Sequence, residues 1–200
     1  YEIADRDWSS DVCSSDLTLC MITACNQKTG KARQDNAAEQ DSTSLSDEGL
    51  RSLYTDWKVI DQKDYTIRYP KDWMRKTDVE GSEFFIYSPQ TDADDQFREN
   101  ISLVTENLKG TGYDLDQYVK AALKMLRENI IESKRIQRAG RDCQMVVYTQ
   151  NFPEKFTTKN ELYIWVKNGK AYMLAFSYVI ADDNPAQSAG REILRTFVLK

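Results

Sequence analysis

The stretch "FTTKNELYIWVKNGKAYMLAFSYV", residues 156–179, decides the fold. Aromatic and β-branched residues crowd both sides of "KNGK", residues 167–170. Such residues favour a pleated, half-buried surface. Asn168-Gly169 is a preferred two-residue type I′ connection, because both central positions need positive φ. The stretch therefore predicts a long antiparallel hairpin, and the rest of the chain is read as what surrounds it.

Upstream, "IESKRIQRAGRDCQMVVYTQNF" predicts a strand over 131–138, a turn at Ala139-Gly140 and a strand over 142–150. Gly140 supplies the φ freedom a tight turn needs. "YDLDQYVKAALKMLRENI", residues 113–130, predicts a helix with Asp114 as its N-cap. Its apolar residues recur at steps of three and four. "YTIRY" places Tyr65, Ile67 and Tyr69 on one strand face before Pro70 stops the strand. Further strands are expected at 82–89, from about 100, and in a short opening piece near 57–60. "NPAQSAGREILRTFVL" closes with a helix from Pro185, which suits a first turn. Gly190 weakens that helix. The order β-β-β-α-β-β-β-β-α, joined by short turns, predicts an α+β fold: an α/β/α sandwich around a mostly antiparallel sheet.

Residues 26–51, "NQKTGKARQDNAAEQDSTSLSDEGLR", hold little apolar surface. Such a chain cannot offset its ordering entropy by burial. A flexible tether is expected over 26–55, with the folded domain at 56–200. Before the tether, "TLCMITAC", residues 18–25, is short and apolar and ends in small residues and cysteine. It is far too short to span a bilayer. It is similar to the end of a signal peptide with a bacterial lipobox. That resemblance implies lipidation at Cys25, whose thiol would form a thioether to diacylglycerol. "DWSSDVCSSDL", residues 7–17, resembles the translation of a common sequencing adapter. Residues 1–17 are expected to be an artefact, and Cys13 carries no functional weight.

The composition narrows the chemistry. The net charge is −5, which disfavours nucleic acid as a partner. The absence of histidine removes Ser-His-Asp and Cys-His catalysis and the commonest zinc ligand. No cofactor or metal motif is found. Asp92, Asp94, Asp95 and Glu99 form an acidic cluster, but their spacing departs from a calcium loop. They read as a solvated loop. Lys134, Arg135, Arg138 and Arg141 gather on one hairpin and read as edge protection, with receipt of an acidic partner as the alternative. The strand aromatics Phe84, Tyr87, Tyr148, Tyr163, Trp165, Tyr172, Phe176 and Tyr178 read as a two-faced core, or as an exposed recognition face. Cys143 is expected to pack in the core.

"YTIRYPKDW", "FFIYSP", "FRENISLVTENL", "CQMVVYT" and "AYMLAFSYV" followed by "ILRTFVL" together resemble the PsbP-like superfamily, which includes Mog1 and PsbP proteins. The resemblance spans roughly residues 56–199 and rests on hydrophobic signatures, chiefly Tyr-Pro-x-x-Trp at 69–73. It implies the α/β/α sandwich and no single activity, and it carries over no functional residue. The expectation is a non-enzymatic binding or assembly module of the bacterial cell envelope. It would be held to the membrane through N-terminal acyl chains and would meet a protein partner there. A carrier of a small apolar ligand and a carboxylate-based hydrolase are the alternatives.

Overall fold

The computed structural model describes residues 39–40, 47–77, 79, 81–91, 95–126, 129–138, 140–153, 155–180 and 185–200. Among the described residues, fourteen elements follow in chain order. They are β1 (Glu39–Gln40), α1 (Asp47–Leu53), β2 (Lys58–Asp61), β3 (Tyr65–Tyr69), β4 (Met74–Lys76), β5 (Phe84–Tyr87) and β6 (Asn100–Asn107). Then come α2 (Leu115–Leu126), β7 (Ile130–Arg138), β8 (Arg141–Phe152), β9 (Phe156–Lys167), β10 (Lys170–Val179), α3 (Pro185–Arg195) and β11 (Val198–Leu199). Residues 1–17, expected to be an artefact, residues 18–25, expected to be a signal segment with Cys25, and the expected turn residue Ala139 lie outside the described residues.

The β9–β10 hairpin is the axis. Asn168 and Gly169 have φ of 53° and 71°, the left-handed values the turn demands. Its strands pair continuously from Lys170 with Lys167 to Val179 with Thr158. β8 and β7 add antiparallel beside β9, and β6, β5 and β4 add antiparallel beside β10. Seven antiparallel strands result, and β1 joins β7 in parallel at Ile136 and Gln137.

Alternation along β10 separates two cores. Tyr172, Leu174, Phe176 and Tyr178 belong to one, with Ile101, Leu103, Phe84, Tyr163 and Trp165. This face is covered by α3 and by a second sheet of three strands, β11-β3-β2. Met173, of the opposite parity, faces α2, whose Tyr118 hydroxyl lies 3.1 Å from its sulfur. The layers are thus α2, the large sheet, and α3 with the small sheet. This is the expected α/β/α sandwich with a mostly antiparallel sheet.

Three features differ from the expectation. β2 and β3 leave the main sheet: β3 pairs with the C-terminal β11 instead. Every residue of β3 is buried, so period-2 alternation names its faces but not its neighbours. Thr196 fixes this arrangement. Its hydroxyl accepts the Arg68 N–H at 2.8 Å and lies 2.9 Å from the Arg68 carbonyl.

Helix α2 ends at Leu126, earlier than the pattern indicated. Ile130 pairs with Tyr148 in β7 instead of completing the helix stripe. Two adjacent β-branched residues, Ile130 and Ile131, favour the strand. The start is as expected: Asp114 Oδ1 accepts the Gln117 N–H at 2.8 Å, and Gln117 Oε1 accepts the Asp114 N–H at 3.0 Å, a reciprocal capping box.

Finally, regular structure reaches into the stretch expected to be a tether. β1 lies there, and so does α1, whose Leu50 is 2% exposed. Tyr54, just after α1, donates its hydroxyl to Glu192 of α3 at 2.8 Å and meets the Trp57 ring in a tilted contact at 4.5 Å.

Candidate functional site

The expected basic cluster does not converge. Arg138 is buried with its guanidinium 4.3 Å from the ring centre of Tyr163. Arg135 pairs with Asp116 of α2, and Lys134 with Glu132 at 3.2 Å. Arg141 Nε reaches the Leu199 carbonyl at 3.3 Å. Each cation has a partner within its own chain, at the surface for Lys134, Arg135 and Arg141, and adjacent ones point to opposite sheet faces.

The acidic cluster is likewise built into its loop. Asp92 and Asp94 lie outside the described residues. Asp95 accepts the N–H and the hydroxyl of Thr91 and the N–H of Phe97. Glu99 is buried and accepts the Ser88 hydroxyl at 3.2 Å. Among the described residues, no group of three acidic or cysteine side chains is placed to hold a metal ion.

Cys143 is fully buried in the main core. Burial pushes its thiol up to about 12, so near neutral pH it is a protonated packing group and not a nucleophile. At the hairpin end, Lys170 Nζ lies 3.8 Å from Asp64 and 3.5 Å from Glu83. Tyr172 donates to Asp64 at 3.2 Å, and Thr105 donates to Glu83 at 2.6 Å. This brings two carboxylates together, as hydrolysis would require. Both are engaged with a cation and a hydroxyl donor, and the network joins β5, β6, β10 and the β2–β3 turn.

Of the eight strand aromatics named from the sequence, seven are buried and Tyr87 is half-buried. It stacks on Phe85, also half-buried, at 5.6 Å and 11°. Register explains their position. Tyr87 pairs with Asn100 and Met74, and Phe85 pairs with Ser102 and Lys76. All lie on the α2 side of the sheet, but α2 packs over β8 and β9. Beyond β10, the face is carried by half-buried Ser102, Val104 and Ala175, the two rings, and exposed Met74. Arg98 closes one end, its guanidinium 5.5 Å from the Tyr87 ring while Nε donates to the Ser88 carbonyl at 2.8 Å. Lys76 lies opposite Phe85 on this face, whereas Arg75 is paired with Ile86 on the other face and Lys58, on β2 of the small sheet, donates to the Trp73 carbonyl at 3.3 Å. Among the described residues, none of Lys58, Arg75, Lys76 and Arg98 has a carboxylate partner. An aromatic and cationic strip thus sits at the β4–β5 end of a net acidic chain. Sequence reading named Tyr87 but missed the strip, since its cations come from separate elements.

This architecture is the Mog1/PsbP-like fold. The solution structure of cyanobacterial PsbP (CyanoP) from Synechocystis sp. PCC 6803 matches with a TM-score of 0.51 at 12% identity, over 72% of this chain and 93% of that one. The Ran-binding protein Mog1p of Saccharomyces cerevisiae matches at 0.47 and 11% identity, over 72% of this chain and 95% of that one. LpqN of Mycobacterium tuberculosis, described as involved in cell envelope biogenesis, matches at 0.47 and 11% identity, over 70% of this chain and 87% of that one. No protein-family model and no curated protein matches the sequence. No described helix is long and apolar enough to cross a membrane.

Proposed function

We propose that this chain is a lipid-anchored, extracytoplasmic binding or assembly module without catalytic activity. Its domain would present the Phe85–Tyr87 strip to a protein partner in the cell envelope. The observation that carries this reading is the stacked, half-buried aromatic pair on a sheet face that α2 leaves uncovered. Aromatic and arginine side chains are the usual anchors of binding surfaces, because large rigid rings bury area at low entropic cost. The groups that could do chemistry support it too: Cys143 is buried, and Asp64, Glu83, Asp95 and Glu99 are held by internal donors.

The anchor rests on the Ile22–Cys25 motif. Intact mass of the chain from membranes of its native host tests it: a diacylglyceryl adduct beginning at Cys25 is expected, and an unmodified chain overturns it. The surface is tested by comparative capture from envelope extracts. A specific partner should be retained by the wild-type chain and lost with Tyr87→Ser. Equal retention would remove the strip from the function.

A further inference from the structure

We infer that the tip of the β8–β9 hairpin rests on the lipid surface to which the chain is anchored; this depends on the anchored-module reading and adds how the domain stands on the membrane. Hairpin tips are normally polar, yet this one reads "NFPEKF", residues 151–156. Phe152 and Phe156 are cross-strand partners with ring centres 4.9 Å apart. Phe97, from the loop before β6, meets Phe156 at 5.2 Å. All three rings are half-buried, and none belongs to the main core. Ile180, whose N–H donates to the Thr157 carbonyl at 3.2 Å, adds an apolar residue that is 56% exposed at the same end of the sheet. Apolar side chains from three separate segments thus gather where nothing in the fold covers them fully. Such a patch marks a contact with something outside the domain.

The path of the chain chooses the occupant. β7 begins at the end of the sheet where β8 finishes, since Ile130 pairs with Tyr148 and Arg138 with Arg141. β1 runs parallel to β7, with Glu39 beside Ile136 and Gln40 beside Gln137. Its N-terminal end therefore points toward the phenylalanine tip and away from the Asn168-Gly169 turn. Cys25 lies fourteen residues before Glu39. Fully extended, that length reaches about 50 Å. Cys143, beside Ile136, is nine residues from Phe152 along β8. That is about 30 Å of strand. A bilayer holding Cys25 is thus reached along the direction the chain already takes, at the end where the rings lie. Charge is not the attraction. Lys155 and Lys159 are near the tip, but Asp95 accepts the Phe97 N–H, and Asp92, Asp94, Glu154, Asp182 and Asp183 flank the tip segments in sequence. The contact is apolar and needs no anionic lipid. Held beside the surface by the tether, the tip needs only weak affinity of its own, because its effective concentration there is high.

The test uses the full chain with Cys13 and Cys20 replaced by serine, coupled through Cys25 to a maleimide lipid in phosphatidylcholine nanodiscs. It therefore does not depend on natural acylation. Nitroxide-labelled lipid in the same discs broadens the NMR amide signals of residues that meet the surface. Phe97, Phe152, Phe156 and Ile180 should broaden at least about threefold more than Asn168 and Gly169. Ile180→Ser, which changes an exposed side chain and leaves the core intact, should reduce that contrast. F152S/F156S should remove it, and Tyr87→Ser should leave it unchanged. Equal broadening at both ends, broadening centred on Asn168 and Gly169, or a contrast that appears only with added phosphatidylglycerol would overturn the inference. So would loss of a captured envelope protein in F152S/F156S with its lipid contact unchanged, which would make the tip a protein site. An unmodified Cys25 in the native host would remove the anchor whatever the discs show. Tip signals that stay clear of lipid would remove this inference and leave the anchor standing.

Discussion

The ring of Phe176 sits on Gly190: a Cβ built on that glycine would lie 2.1 Å from the ring's Cζ. Gly190 is buried in the middle of α3, and Phe176 is fully buried on β10. The glycine costs the helix about 1 kcal/mol relative to alanine. It returns this by letting α3 descend onto the sheet. The same contact explains why so strong a strand can be covered by a helix with an interior glycine.

Gly190→Ala should therefore destabilise the domain despite improving helix propensity. A rigid ring cannot yield by an ångström without leaving its rotamer, so the net loss should be about 1–3 kcal/mol. Urea unfolding of the variant checks this. Adding Phe176→Leu should recover part of the loss, giving a favourable coupling between the two sites. Additive losses would show that the two residues do not share the contact.

Leu50 marks the true reach of the domain. It is buried although it belongs to a polar stretch with few other apolar residues. Leu50→Ala should cost about 2 kcal/mol or more in urea unfolding, as for a core leucine. Leu53, three residues on and 64% exposed, should change stability by less than about 0.5 kcal/mol when replaced by alanine.

These residues show why parts of the molecule were legible and parts were not. The β9–β10 hairpin declared itself because Asn168-Gly169 and the flanking alternation act locally. The capping box at Asp114 and Gln117 is local as well. Helix α1 was hidden because one buried leucine makes no periodic stripe. "MRK" at 74–76 has no alternation, so β4 emerges only through its pairing with β5. Alternation in "YTIRY" named the faces of β3 but could not say that β11, more than a hundred residues away, would be its neighbour. The site follows the same rule. Lys134, Arg135, Arg138 and Arg141 drew attention because they are close in sequence. The fold disperses them, and instead sets Arg98 over Tyr87 and Lys76 opposite Phe85 from separate segments.

Cys143 should behave as core. With Cys13, Cys20 and Cys25 replaced by serine, the native chain should not react with a thiol reagent at mildly alkaline pH. Full reaction should appear in denaturant. The nucleophile is the thiolate, and burial raises this thiol to about 12 from 9.0, which leaves about a thousandfold less thiolate. Rapid reaction of the folded chain would place Cys143 at a surface.

The hairpin end should set the alkaline limit of stability. Burial, the Asp64 charge and the hydrogen bond to Asp64 raise Tyr172 from 10.0 to about 12. Burial and the Glu83 charge raise Tyr65 to about 12 as well. A raised folded-state pKa means the native state holds a proton that the unfolded chain releases first. The stabilisation is thus fully present below pH 10 and is lost as pH rises from about 10 to about 12. Phenolate absorbance should show these two tyrosines titrating late, together with loss of the folded state. Asp64→Asn removes the charge that opposes the Tyr172 phenolate, so Tyr172 should titrate closer to 10.0 in that variant. An unchanged titration in Asp64→Asn would mean that burial and the Glu83 charge set the shift and that the Tyr172–Asp64 contact contributes nothing to it.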